Sequence, residues 1–288
     1  MKSLASIAQT LEAHVRSLGG PRDPYLRAGT HKLAQHYISS TFGRLGEVTA
    51  QHFSVKAREH TNWQLTLPGT APQLAPILIG AHYDTVPGSP GADDNASGVA
   101  ALLTLAELLR EQAQRGQGTK RTLYFVAFDL EEYGLVGSTT WAKHWREQAK
   151  PLHLMLSLEM LGYFCDEARS QHYPVELLSK LYPDTGNFIA LIGNVATLFK
   201  MRAIKRQLVA VGAPCEWLPV VNRGKQIPAT RRSDHAPFWD EGYPAIMVTD
   251  TANLRNPHYH TASDRPETLN FDMMARITQG LALTLREL

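Results

Sequence analysis

The chain has 288 residues, a formal net charge of +2, 43% hydrophobic and 19% charged residues. A near-neutral chain without a Lys/Arg run lacks the electrostatic footprint of a nucleic-acid or anionic-membrane partner, and its apolar content suits one large α/β domain with a sizeable core. Two cysteines, Cys165 and Cys215, exclude a disulfide framework and a Cys-rich zinc site; whether they pair is left open.

Leu4, Ile7, Ala8, Leu11, Val15 and Leu18 recur at helical spacing. That predicts an amphipathic surface helix rather than a signal peptide, because no continuous apolar core is present. A second helix is expected near 27–42, beyond Gly19-Gly20-Pro21, and residues 1–45 are expected to pack on the domain. No stretch is long and apolar enough to span a bilayer. A cytoplasmic location is favoured, with a periplasmic or secreted one open if a signal was removed.

Residues 47–56 and 61–67 alternate as an antiparallel strand pair would. Four short apolar runs follow, at 77–81, 123–128, 152–158 and 245–248. They lack polar alternation, the pattern of strands buried on both faces of a mostly parallel sheet. Helical patterns at 97–114, 138–149, 195–211 and 267–286 intervene. This βαβ alternation predicts a three-layer αβα fold with a mostly parallel mixed sheet and helices on both faces, as one domain over residues 1–288. The irregular segments 162–186 and 213–232, with Pro and Gly, are expected to be rim loops over a site.

Each apolar run hands chemistry to the loop after it: His82-Tyr83-Asp84, then Glu131-Glu132, then Glu159, then His258-Tyr259-His260. Sites in open α/β sheets form beyond the carboxyl ends of strands, so these groups converge despite their separation in sequence. The Gly/Pro-rich loop 87–98 adds Asp94 just before a helix. Two imidazoles with several carboxylates can hold two divalent metals and leave one carboxylate to move protons, enough for metal-assisted amide hydrolysis. Asp84, two residues after His82, is placed to receive the second ring N–H. Adjacent carboxylates such as Glu131-Glu132 are costly unless a cation or a proton neutralises them. Asp93 is expected only to cap a helix, His235 to orient the site rather than bind metal, and His258 to stand outside it. Met160, Tyr163, Phe164, Phe238 and Trp239 are expected as core or rim more than as pocket walls.

The ordered set His82-Tyr83-Asp84, Pro-Gly-Ala-Asp-Asp-Asn-Ala-Ser-Gly (90–98), Glu131-Glu132, Leu-Glu-Met-Leu-Gly-Tyr (158–163), Arg-Ser-Asp-His-Ala-Pro-Phe (232–238) and Tyr-His-Thr-Ala-Ser-Asp (259–264) resembles the di-zinc aminopeptidases. These include the bacterial leucyl aminopeptidases, with glutaminyl cyclases and glutamate carboxypeptidase II as relatives, and the likeness covers roughly residues 60–288. It implies that His82 and Glu159 bind one Zn²⁺, that Glu132 and His260 bind a second, and that Asp94 bridges them. It also implies that Glu131 is the general base and that the peptide after Asp94 is cis. Many secreted members carry Asp where this chain has Glu159, which adds a methylene. Tyr259 is expected to donate to the oxyanion. Mn²⁺ or Co²⁺ can substitute in a nitrogen and oxygen ligand set. The expected substrate is a peptide with a free N-terminus, and the oligomeric state is left open. Three rivals stand beside this reading: a glutaminyl-cyclase-like acyl transferase with one zinc, an aminoacylase-like amidohydrolase, and a non-enzymatic binding module. The short His82–Asp94 gap and the full set of metal positions count against them.

Overall fold

The computed structural model describes residues 2–288. Eight strands make one sheet: β1 (Glu47–Val55), β2 (Arg58–Leu67), β3 (Ile77–His82), β4 (Leu123–Phe128), β5 (Leu154–Glu159), β6 (Ile189–Asn194), β7 (Cys215–Val220) and β8 (Ala245–Thr249). Their order across the sheet is β1-β2-β4-β3-β5-β8-β6-β7. The four strands that begin from the apolar runs are consecutive neighbours, β4-β3-β5-β8, and run parallel throughout. Antiparallel pairing is confined to β1 with β2, β2 with β4, and β6 with β8.

Successive side chains of a strand face opposite layers. Ile77, Ile79, Phe125, Leu154, Leu156 and Leu158 therefore join one core, while Leu78, Val126, Phe128 and Met155 join the other. Both faces are covered, so the runs read as continuously apolar. The first core lies under α1 (Leu4–Leu18), α3 (Gly98–Gln114), α6 (Leu198–Ala210) and α8 (Phe271–Glu287), with α2 (Ala28–Gly43) over β1 and β2. The second lies under α4 (Val136–Glu147) and α7 (His235–Asp240), through Trp141, Phe238 and Trp239. A short α5 (Glu176–Leu181) stands in the rim.

Two strands escape the sequence reading. β6 fills a stretch assigned to no element, and β7 falls inside the segment 213–232 expected to be a rim loop. Pro219 sits within β7, which is the sheet edge and bonds only β6; an edge is where a strand tolerates Pro. Cys165 and Cys215 are both free thiols. No helix among the described residues is long and apolar enough to cross a membrane.

The turn from β4 into α4 is tightly clamped. The Gly137 amide donates to the Asp129 carbonyl at 3.0 Å, and the Asn62 side chain bonds both the Gly137 carbonyl and the Asp129 amide. A Cβ at Gly137 would overlap the Asp129 carbonyl and Asn62 Oδ1. Gly137→Ala is expected to destabilise the chain by about 1–3 kcal/mol through overpacking. Urea unfolding measures this, and an unchanged midpoint would show that the clamp has slack.

Candidate metal centre

Because β3, β4, β5 and β8 are parallel neighbours, their carboxyl ends share one edge of the sheet. His82 is the last residue of β3 and Glu159 the last of β5. Glu131 and Glu132 follow β4 by three and four residues, and His260 lies in the long loop after β8. Asp94 enters from the π-type turn Ala92–Ser97 that precedes α3, and the Asp94–Asn95 peptide is cis.

These side chains form two adjoining clusters, His82 with Glu131 and Glu159, and Asp94 with Glu132 and His260. His82 Nε2 lies 3.5 Å from Glu159 Oε2 and 4.0 Å from Glu131 Oε2. His260 Nε2 lies 3.2 Å from Glu132 Oε2. Asp94 stands between the clusters, with Oδ1 3.4 Å from His82 Nε2 and Oδ2 3.0 Å from His260 Nε2.

Hydrogen bonds from the surrounding backbone fix the loops. Asp84 lies 3.4 Å from His82 Nδ1, and its two oxygens accept the amides of Glu131 and Glu132 at 3.1 and 3.2 Å. One carboxylate thus ties the loop after β3 to the loop after β4. Asp264 accepts the amides of Asp93 and Asp94 at 2.8 and 3.1 Å. Asn95 bonds the Leu158 carbonyl and the amides of Gly98 and Met160, which locks the Asp94 turn to the end of β5. The Ser233 hydroxyl donates to Glu159 Oε2 at 2.7 Å. Tyr259 stacks on His260, ring centroids 3.8 Å apart, and its hydroxyl oxygen accepts from Arg232 Nη2 at 2.7 Å.

The residues around this constellation divide. Asp93 does not cap the helix; its carboxylate accepts the Gly162 amide and the Asn256 side chain, because it is buried against the β5 loop instead of lying at a free helix end. His235 bonds the Thr230 carbonyl at 2.8 Å and so braces the rim turn, and among the described residues no metal-centre residue is its hydrogen-bond partner. His258 bonds Ser263 and packs edge-on against Tyr163, apart from both clusters. Met160, Phe238 and Trp239 are core. The cavity beside Glu159 and Tyr259 is walled instead by Tyr173, Leu178, Phe188, Ile192, Trp217 and Met247.

Burial pushes Glu131 well above the usual carboxylate range; His82 opposes the shift, while Glu159 and Glu132 add repulsion. Burial and Asp94 push Glu132 up to about 7. Burial works against a charged His260, but its contacts with Asp94 and Glu132 prevail and raise it to about 9. Packed like charges of this kind are what bound cations relieve. The residues fit such ions: His82 Nε2 and Glu132 Oε1 are buried without a hydrogen-bond partner among the described residues. The donors are imidazole nitrogen and carboxylate oxygen, the set that divalent zinc, manganese and cobalt accept.

Residues 62–285 match the model of peptidase family M28. The chain belongs to that family. It is 36% identical over 263 residues to YfbL of Escherichia coli (strain K12), a match covering 86% of this chain and 78% of YfbL. It spans 56% of the length of several fungal leucine aminopeptidases that it also resembles. Among solved structures, the LapA aminopeptidase of Legionella pneumophila superposes with a TM-score of 0.71 at 21% identity, over 99% of this chain and 72% of that one. Glutaminyl cyclase of Porphyromonas gingivalis gives 0.71 at 20% identity, over 99% and 98%. At these identities the superpositions show the fold alone. Fold, M28 membership and the two clusters together make this an enzyme of the metallo-aminopeptidase type, with candidate sites for a dinuclear metal cofactor and peptides as substrates.

Some residues that organise the M28 site were not singled out from sequence. Ser233 and Asp264 lie inside the quoted motifs, but only the fold shows their targets. Asn95 carries no charge to draw attention, yet it makes two bonds across 63 and 65 residues and a local one.

Proposed function

We propose that this protein is a di-zinc aminopeptidase that removes a large apolar N-terminal residue from peptides. In this reading His82 and Glu159 hold one ion, Glu132 and His260 the other, and Asp94 both. The observation that carries it is the position of Asp94, which reaches one imidazole with each carboxylate oxygen.

Bound zinc supplies Lewis acidity to the scissile carbonyl and acidifies water at neutral pH. Glu131 takes the proton of the attacking water and hands it to the leaving amine. Its place in the His82–Glu159 cluster, 4.0 Å from His82 Nε2, suits both halves of that transfer. Tyr259 already accepts from Arg232, so its own O–H is free to donate to the oxyanion. Asp84 lies beside His82 Nδ1 and, through two amides, holds the Glu131-Glu132 turn. The free α-amine is received at the carboxylate-rich end, which limits cleavage to the first residue.

The cavity that opens beside Glu159 and Tyr259 is lined by aromatic and aliphatic side chains. It suits the side chain of the residue being released. Aminoacyl anilides test the reading. Leucyl and phenylalanyl anilides are expected to exceed the alanyl anilide in kcat/KM by about 10–200-fold, the worth of a buried apolar side chain in a pocket. Chelation is expected to abolish turnover, and zinc to restore it. Pyroglutamate release from an N-terminal Gln peptide with one metal per chain would replace this reading with an acyl transferase. Turnover of N-acylated amino acids alone would replace it with an aminoacylase.

A further inference from the structure

The M28 match begins at residue 62, yet a residue before it reaches the floor of the metal centre. Arg22 is 1% exposed. It forms no ion pair among the described residues, and its guanidinium donates only to backbone carbonyls. Nε bonds the Tyr83 carbonyl at 3.0 Å, and Nη2 the Gly91 carbonyl at 2.7 Å. Nη1 reaches Pro90 at 2.9 Å, Gly20 at 3.0 Å and Leu18 at 3.3 Å. The Arg22 amide itself bonds the Thr85 hydroxyl at 2.9 Å.

Tyr83 lies between His82 and Asp84, and Gly91 lies three residues before Asp94. A single planar group therefore grips both ends of the loop that separates a ligand imidazole from the carboxylate shared by the two clusters. Gly91 is part of the fit: a Cβ there would overlap the Asp94 carbonyl and crowd Arg22 Nη2. The next residue extends the same brace, because Asp23 accepts the hydroxyl of Tyr133, the neighbour of Glu132.

We infer that Arg22 is a positioning residue of the metal centre, setting the separation between the His82–Asp84 segment and Asp94. This rests on the dinuclear reading above. Five donors in a rigid fork suit the task, whereas a lysine keeps the charge but cannot hold both carbonyls in one plane. Burial draws the Arg22 pKa down to about 10 while Asp264, Asp94 and Asp84 hold it up, so the group is charged at neutral pH.

The test compares Arg22→Lys and Arg22→Met with the wild-type chain. Folding is read by circular dichroism, zinc affinity by competition with a chelator, and kcat and KM on a leucyl anilide. Both variants are expected to fold. Each is expected to bind zinc about tenfold more weakly or worse and to lose kcat by a similar factor, with KM within about twofold, as removal of a ligand's support does. Folded variants with wild-type zinc affinity and kcat overturn the inference, as do variants whose only change is a lower melting temperature. Failure of both to fold assigns Arg22 to folding instead and overturns it equally. A wild-type chain that never binds two zinc ions overturns the dinuclear reading first, and this inference with it.

Discussion

Glu131→Gln is expected to retain both metals and to lose turnover by about 10²–10⁴-fold, the usual worth of a general acid–base group. The substitution keeps the shape of the side chain and removes its capacity to take a proton. Glu131 Oε2 lies 4.0 Å from His82 Nε2, whereas Glu159 of the same cluster and Asp94 of the adjoining one stand at 3.5 and 3.4 Å. In the proposed reading it is the group that moves a proton rather than one committed to an ion, although it shares a candidate metal cluster with His82 and Glu159. Metal content by elemental analysis and kcat on a leucyl anilide separate the two roles. If Glu131 were a ligand, the variant would lose metal in step with activity. Near-wild-type turnover with two metals bound would remove it from the chemistry altogether. Little change in KM is expected, since a proton carrier acts on the transition state more than on binding.

Much of this centre was legible in the sequence because its residues are anchored to strand ends. The runs 77–81, 123–128 and 245–248 matched strands to within one residue at each end. In a parallel sheet, the residue after the last apolar position is then delivered to the active edge. His82, Glu131, Glu132 and Glu159 are all placed in this way. The outer part of the sheet was less visible. β7, with the sequence Cys-Glu-Trp-Leu-Pro-Val, is an edge strand whose proline reads as a loop. The cavity walls were hidden for the same reason. Trp217 comes from β7, Phe188 lies just before β6, and Ile192 is in β6, the strand left unassigned. Arg22 was hidden for a different one. Its partners are carbonyl oxygens from 61 to 69 residues away along with local ones, and backbone acceptors leave no trace in side-chain chemistry.

Asp94→Asn is expected to remove both metals at once, because the two clusters meet at that carboxylate. Loss of a residue that merely supports a ligand costs about 10–100-fold in metal affinity, and a ligand shared by both sites must exceed this. The asparagine keeps the volume and one carbonyl oxygen. It gives up the negative charge and turns an N–H₂ toward His82 or His260, both now within 3.4 Å of a carboxylate oxygen. Metal titration followed by elemental analysis should find less than one ion per chain, with turnover at background. The chain itself is expected to stay folded, since the Asp94 amide still bonds Asp264 and Asn95 still holds the β5 loop. His260→Ala is the contrasting case. His260 lies on a loop with its side chain one-third exposed, and it belongs to one cluster only, so its loss is expected to lower the count from two ions to one. Equal losses from both variants would mean that the second ion needs the first. Two ions retained in Asp94→Asn would show that no shared ligand exists, and the two sites would then have to be treated as independent.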